Sequence, residues 1–202
     1  MAKKIIVLVS GSGTNLQALI DAGQQDRLGG GRIALVVSNR KNAYGLVRAA
    51  NASIPTLVRT LKEYKDAGKT REEFDRDLAE HIATTEAPDL IVLAGWMHIL
   101  SPAFIDRFRG KIINLHPALP GELDGAHAID RAYEEFQAGT RSRTGVMVHH
   151  VIPEVDKGAP ILTEEVPCVE GDTLENLEDR IHAVEHRILP EAVRHFLEGG
   201  SS

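Results

Sequence analysis

The sequence predicts an α/β fold: a mostly parallel sheet with helices on both faces and an antiparallel strand pair near the C-terminus. Three observations carry that expectation. Short continuous apolar runs, Ile5-Ile6-Val7-Leu8-Val9 and Leu90-Ile91-Val92-Leu93 among them, have the length of strands and no polar face, as in a parallel sheet buried on both sides. Segments with apolar residues at helical spacing alternate with these runs. Late in the chain, residues 144–152 and 160–166 are joined by a few residues that include Gly158. That connection is too short for a parallel crossover and suits an antiparallel return.

Taken in order, residues 5–9 read as a buried strand that opens into Ser10-Gly11-Ser12-Gly13-Thr14-Asn15, with Leu16, Leu19 and Ile20 at helical spacing beyond it. Strand, glycine turn and helix start together make a phosphate cradle, because the first helical N–H groups lack partners and carry the positive end of the dipole. Leu16 stands where a dinucleotide fingerprint has its third glycine, and no Gly-Lys-Ser/Thr closes a P-loop, so a single phosphate is favoured over a pyrophosphate. The plain alternative is a tight turn with Thr14 as helix cap. Residues 33–37 read as the second strand, 43–51 as a short helix and 56–58 as the third strand. Thr70 and Glu73 form a capping box for a helix whose stripe is Phe74, Leu78 and Ile82. Arg71, at its start, reads by itself as a solvated charge.

A strand at 90–95 leads into Trp96-Met97-His98-Ile99-Leu100, and Ser101-Pro102 then caps and begins another helix. So apolar a loop either lines a slot for a flat ligand or plugs the core beneath it. Lys111-Ile112-Ile113-Asn114-Leu115-His116-Pro117 reads as a strand delivering Asn114 and His116, two residues apart, to one side of its carboxyl edge. Pro117 keeps His116 on extended backbone. An amide beside an imidazole suits acyl or one-carbon transfer, one group stabilising an oxyanion and the other moving a proton. The alternative is a strand-end histidine bonded to loop backbone. A loop at 120–125, a helix at 126–138, the strand pair and a last helix complete the chain. Asp172 with Glu175 is the expected cap of that helix, Leu177, Ile181, Val184 and Ile188 its stripe, Pro190 a kink or restart, and 199–202 a frayed end.

The 202 residues contain no repeat and no linker, so a single domain spanning 1–202 is expected. A formal charge of -6 argues against broad binding to nucleic acid or anionic membrane and leaves small-molecule ligands. One cysteine, Cys168, forms neither an internal disulfide nor a cysteine-rich metal site. With no secretory leader and no apolar run of spanning length, a cytoplasmic protein is expected.

In open α/β sheets ligands bind outside the carboxyl ends of the strands. That rule puts the 11–15 turn, the 96–100 loop and the Asn114/His116 strand end on one rim, within reach of Asp156 in the loop 153–158. A carboxylate there would raise the pKa of His116. A competing feature is His182-Ala-Val-Glu185-His186, which matches the H-x-x-E-H pattern of a metallopeptidase zinc site. Its plain alternative is a partly exposed helix face.

Five motifs occur in the order and approximate spacing of one family: Ser10-Gly-Ser-Gly-Thr-Asn15, Gly95-Trp-Met-His-Ile-Leu-Ser-Pro102, Ile113-Asn-Leu-His-Pro117, Glu154-Val-Asp-Lys-Gly158 and Arg180-Ile-His-Ala-Val-Glu-His186. From Ile5 to about Leu197 the chain resembles the folate-dependent phosphoribosylglycinamide formyltransferases. The loop 119–127 departs from the bacterial pattern and is closer to fungal members. The resemblance implies a Rossmann-like formyltransferase fold and transfer of a formyl group from 10-formyltetrahydrofolate, as co-substrate, to the amine of 5-phosphoribosylglycinamide in de novo purine biosynthesis. It implies that Asn114, His116 and Asp156 are catalytic, and that Gly13, Thr14, Asn15 and Glu185 hold the ribonucleotide phosphate and glycinamide. Arg71, Met97, His98, Ile99, Leu100 and again Asn114 would meet the folate, His98 through backbone. Gly145 and His149 would line the cleft. No metal, nucleic-acid or membrane partner is implied. The rivals are a formyltetrahydrofolate hydrolase, the zinc site at His182, Glu185 and His186, and a non-catalytic nucleotide-binding module. A methionyl-tRNA formyltransferase would need a further RNA-binding domain.

Overall fold

In the computed structural model, which describes residues 2–199, the apolar runs form a seven-stranded sheet. Its strands are β1 (Lys3–Val9), β2 (Gly31–Ser38), β3 (Thr56–Val58), β4 (Leu90–Leu93), β5 (Ile112–His116), β6 (Arg143–His150) and β7 (Pro160–Pro167), in the order β3-β2-β1-β4-β5-β6-β7. β1 to β5 pair in parallel; β6 runs antiparallel to both β5 and β7. The expected sheet and its antiparallel C-terminal pair are both present.

Burial on two faces explains the continuous apolar runs. Ile5, Val7 and Val9 point into one core cluster with Leu16 and Leu19 of α1 (Thr14–Gln24) and with Ile181 and Leu189 of α7 (Leu174–Leu197). Ile6 and Leu8 point into the other, with Phe74, Leu78 and Ile82 of α4 (Arg71–Thr85) and Phe104 of α5 (Pro102–Ile105). Each such side chain contributes roughly 1.5–3 kcal/mol on full burial, enough to make the centre of the sheet a rigid base for its polar rim. Three further helices, α2 (Tyr44–Asn51), α3 (Leu61–Asp66) and α6 (Ala128–Gln137), lie in the connections.

Local signals mislead in four places. α3 was not anticipated: it has a Thr60–Glu63 capping box but buries no residue, so it lacks the apolar stripe that marks α4. The cap of α1 is Gly13, in the left-handed region at φ 73°, and not Thr14, which is already helical. The cap of α7 is Thr173, boxed with Asn176, and not Asp172 with Glu175. Asp172 is otherwise engaged, since its carboxylate accepts from the Val169 N–H at 2.8 Å and from both terminal nitrogens of Arg180 at 2.8 and 2.9 Å. Of the kink or restart expected at Pro190, the restart does not occur. The helix continues through it, held down by buried Ile188, Leu189, Ala192 and Val193. The expected frayed end from residue 200 onward lies outside the described residues. Among the described residues no helix is long and apolar enough to cross a membrane.

Candidate active site

β1 lies between β2 and β4, so the chain leaves its carboxyl end in one direction and returns on the other side. Such a switch point opens a crevice between the loops after the two central strands. Here the two loops are tied together: the Ser10 N–H donates to the Gly95 carbonyl at 3.0 Å, and the Met97 N–H donates to Ser10 Oγ at 2.8 Å. β5 is the next strand, with Asn114 in register with Leu93 of β4 on one side and His149 of β6 on the other.

Asn114 and His116 both face Asp156, as their two-residue spacing predicts. Asn114 Nδ2 is 3.5 Å from Asp156 Oδ1, and His116 Nδ1 is 3.6 Å from Asp156 Oδ2. Asp156 adopts a left-handed φ of 56° and accepts from the Gly125 N–H at 2.8 Å. Burial pushes its carboxyl up, but the contact with His149, the hydrogen bond from the Gly125 N–H and the nearby His116 imidazole outweigh this and hold it below its ordinary value. It is ionised at neutral pH.

For His116 the expected upward pull of the carboxylate is present, but burial outweighs it. The ring is 5 % exposed, and burial pushes its pKa below 6.5; Asp156 and the Leu123 carbonyl pull upward and only partly compensate. Its Nε2–H donates to the Leu123 carbonyl at 3.1 Å. In that tautomer Nδ1 presents a lone pair to the Asp156 carboxylate. Only an imidazolium satisfies both acceptors, while burial disfavours holding that charge at rest. The ring is therefore suited to take up a proton and release it.

At the head of α1 the first helical bond runs from the Gln17 N–H to the Gly13 carbonyl, and no side chain caps the turn. Gly13 is required twice, by its positive φ and because a Cβ there would lie 2.6 Å from Gly45 Cα. Asn15 Nδ2 donates to Glu185 Oε2 at 3.0 Å, while Asn15 Oδ1 is buried without a partner among the described residues. Burial raises the Glu185 carboxyl above its ordinary range; the Asn15 bond and His182 pull it partly back. A buried carboxyl with one neutral donor keeps acceptor capacity for a further N–H group. Beside the cradle a cavity of about 400 Å³ is lined by Thr14, Gln17, Arg48 and His186, among others.

Of the two roles weighed for the 96–100 loop, the core plug is visible in part. Trp96 and Leu100 belong to the core, whereas Met97 and Ile99 face solvent. The side chain of His98 is bonded to buried Asp75. Arg71 donates to the Ile99 carbonyl, so it is joined to this loop and is not a free surface charge.

A family model described as formyl transferase matches residues 3–193. The chain belongs to the formyl transferase family. It is 50 % identical to the phosphoribosylglycinamide formyltransferase of Schizosaccharomyces pombe, across 98 % of each chain. It is 46 % identical to that of Saccharomyces cerevisiae, across 96 % of this chain and 97 % of the relative. Among solved structures, glycinamide ribonucleotide transformylase 1 from Symbiobacterium toebii superposes with a TM-score of 0.90 at 42 % identity, covering 98 % of this chain and 88 % of that one. The fungal relatives thus match more closely than this bacterial one, as the 119–127 loop suggested.

The fold gathers Asn114, His116 and Asp156 at one strand end, pairs Asn15 with Glu185 at the cradle, and joins Arg71 to the 96–100 loop. It does not assemble the zinc pattern. His182 and His186 stack on each other with ring centroids 6.4 Å apart, and Glu185 turns to Asn15. Among the described residues no group of three or more His, Cys, Asp or Glu is placed to hold a metal ion. Gly145 packs under Leu119: a Cβ there would be 2.4 Å from Leu119 Cδ2. Two participants escaped sequence reasoning, Asp75 and the Leu123 carbonyl. Asp75 had a signal, since a carboxylate three residues before Leu78 and seven before Ile82 lies within the apolar stripe. A backbone carbonyl has none.

Proposed function

We propose that this chain transfers the formyl group of 10-formyltetrahydrofolate to the amine of 5-phosphoribosylglycinamide, a step of de novo purine biosynthesis. The reading rests above all on one observation: Asn114 and His116 converge on Asp156 at the carboxyl end of β5, with contacts of 3.5 and 3.6 Å, beside the crevice between the β1 and β4 loops. Family membership and nearly full-length relatives of that name support the same activity.

The substrate amine attacks the formyl carbon, a C–N bond forms, and the carbonyl oxygen takes up the charge. Asn114 donates to that oxyanion by giving up its long contact with Asp156. Collapse breaks the bond to the folate N10, and one proton passes from the attacking amine to that nitrogen. His116 carries the proton, with Asp156 stabilising the transient imidazolium. Gly13, Thr14 and Asn15 hold the phosphate at the head of α1, Glu185 receives the glycinamide amine, and the 96–100 loop with Arg71 receives the folate. All of these ligands are small molecules, and the residues act together as one domain in the cytoplasm.

An absorbance assay of folate product, run with and without the ribonucleotide, tests the proposal. Product formation that requires the ribonucleotide and yields a formylated amine is the expected result. Loss of donor at the same rate without it would instead make the chain a hydrolase.

A further inference from the structure

The turn after β4 alternates its side chains between core and solvent. Trp96 is 8 % exposed, Met97 72 %, Ile99 60 % and Leu100 5 %. Between the two solvent-facing apolar groups, the side chain of His98 is only 7 % exposed. His98 thus occupies a buried place while its apolar neighbours Met97 and Ile99 are left in solvent. A one-residue shift of the turn would bury Met97 and Ile99 and free the imidazole, and it would expose Trp96 and Leu100 in exchange.

Asp75 opposes that shift. It is fully buried on α4, and both of its oxygens are committed to the turn: Oδ1 to His98 Nε2 at 2.8 Å and Oδ2 to the Ser101 N–H at 2.7 Å. Moving His98 outward would strand a buried carboxylate. The imidazole is also packed edge-on, with ring centroids 5.4 Å from Phe74 and 6.1 Å from Trp96. Arg71, one helical turn before Asp75, holds the Ile99 carbonyl, and Ser10 Oγ holds the Met97 N–H. The backbone of the turn is therefore pinned at its entry, middle and exit.

We propose that Asp75 and His98 are positioning residues for the formyl donor, locking the 96–100 turn in the register that presents Met97, Ile99 and the peptide groups between them to a bicyclic nitrogen heterocycle. The proposal rests on the reading of this turn as the donor pocket. The chemistry matches: the ring's faces take apolar contact, and its edge carries donors and acceptors that peptide groups satisfy. Neither residue need touch the donor.

The test combines steady-state kinetics, each substrate varied at saturation of the other, with calorimetric binding of tetrahydrofolate, which lacks the formyl group. Asp75→Leu should raise the donor KM and weaken tetrahydrofolate binding about tenfold or more, with the ribonucleotide KM changed less than about twofold. Asp75→Asn, which retains both hydrogen bonds with the imidazole in its other tautomer, should recover most of the loss. His98→Phe keeps a ring between Phe74 and Trp96 without the bond to Asp75; it should shift the donor KM in the same direction, and it decides the matter should Asp75→Leu not fold. Met97→Ala/Ile99→Ala removes the presented surface and leaves Asp75 untouched. If that double variant keeps the wild-type donor KM, the donor-pocket reading falls and the proposal with it. If it raises the donor KM while folded Asp75→Leu and His98→Phe do not, or if those two raise both KM values equally, the positioning role is overturned and the pocket stands.

Discussion

Asn114 on β5 and His149 on β6 are register partners, and Asn114 Nδ2 lies 3.2 Å from His149 Nε2. The His149 tautomer is set from its far side, where Nδ1–H donates to the His150 carbonyl at 2.8 Å. In the neutral ring Nε2 is then an acceptor, so the Asn114 amide must turn its N–H groups toward His149 and Asp156. One of these is the hydrogen proposed for the oxyanion. His149→Leu releases the amide from that orientation and should lower kcat about tenfold, the equivalent of one hydrogen bond, with both KM values little changed. Steady-state rates check this, and an unchanged kcat would show that Asn114 is oriented by other contacts.

Asn114→Ala and His116→Ala remove the groups assigned to the oxyanion and to the proton. Losing one oxyanion donor costs about 2.7–4 kcal/mol of barrier, so turnover should fall roughly 100- to 1,000-fold. Circular dichroism should report an intact fold in both variants. Near-normal turnover in both would remove the assignment.

Burial depresses the His116 pKa below 6.5 and Asp156 opposes that effect. In Asp156→Asn the imidazole should therefore titrate at still lower pH, measurable by NMR of the ring protons. The linked stability has a definite sign. His116 is less basic folded than unfolded, so as pH falls through 6.5 the unfolded chain binds the proton first and the fold loses stability until the folded pKa is reached. Asp156→Asn should deepen this loss. An unmoved His116 titration would show that the carboxylate does not support the ring.

Gly13→Ala places a side chain at φ 73° and 2.6 Å from Gly45 Cα. The left-handed conformation alone costs roughly 1–2 kcal/mol, and relief of the clash must move the head of α1. A raised ribonucleotide KM with a near-normal donor KM is expected, together with a lower melting temperature. Equal changes in both KM values would argue against a phosphate cradle at this turn.

Thr173→Ala should destabilise the chain by about 0.5–2 kcal/mol in denaturant unfolding, the cost of an N-cap. Glu175→Gln should be nearly silent, because Asn176 completes the box. The reverse ranking would restore the cap to Asp172.

Much of the architecture was legible because it is written in short-range pattern. The runs at 5–9 and 90–93 are fully apolar since both faces of the central strands are covered, and Thr70 with Glu73 announces α4 by hydrogen bonds that span three residues. Asn114 and His116 were legible for the same reason, as strand geometry alone puts them on one side. The cap of α7 was not. Asp172 and Thr173 both suit the position, and the choice fell to Arg180, a helical turn and more away, which claims the aspartate.

Periodicity, turn chemistry and the residue types at Gly13, Asn114 and His116 were determined by the chain's own order, because each depends on neighbours a few positions apart. Tertiary structure alone decided which partners those residues acquired: Asp75 for His98 across 23 positions, His149 for Asn114 across 35, and the Leu123 carbonyl for His116. It also decided the sign of the His116 shift. Burial and charge act through space and oppose each other there, so the net effect depends on how deeply the finished fold encloses the ring.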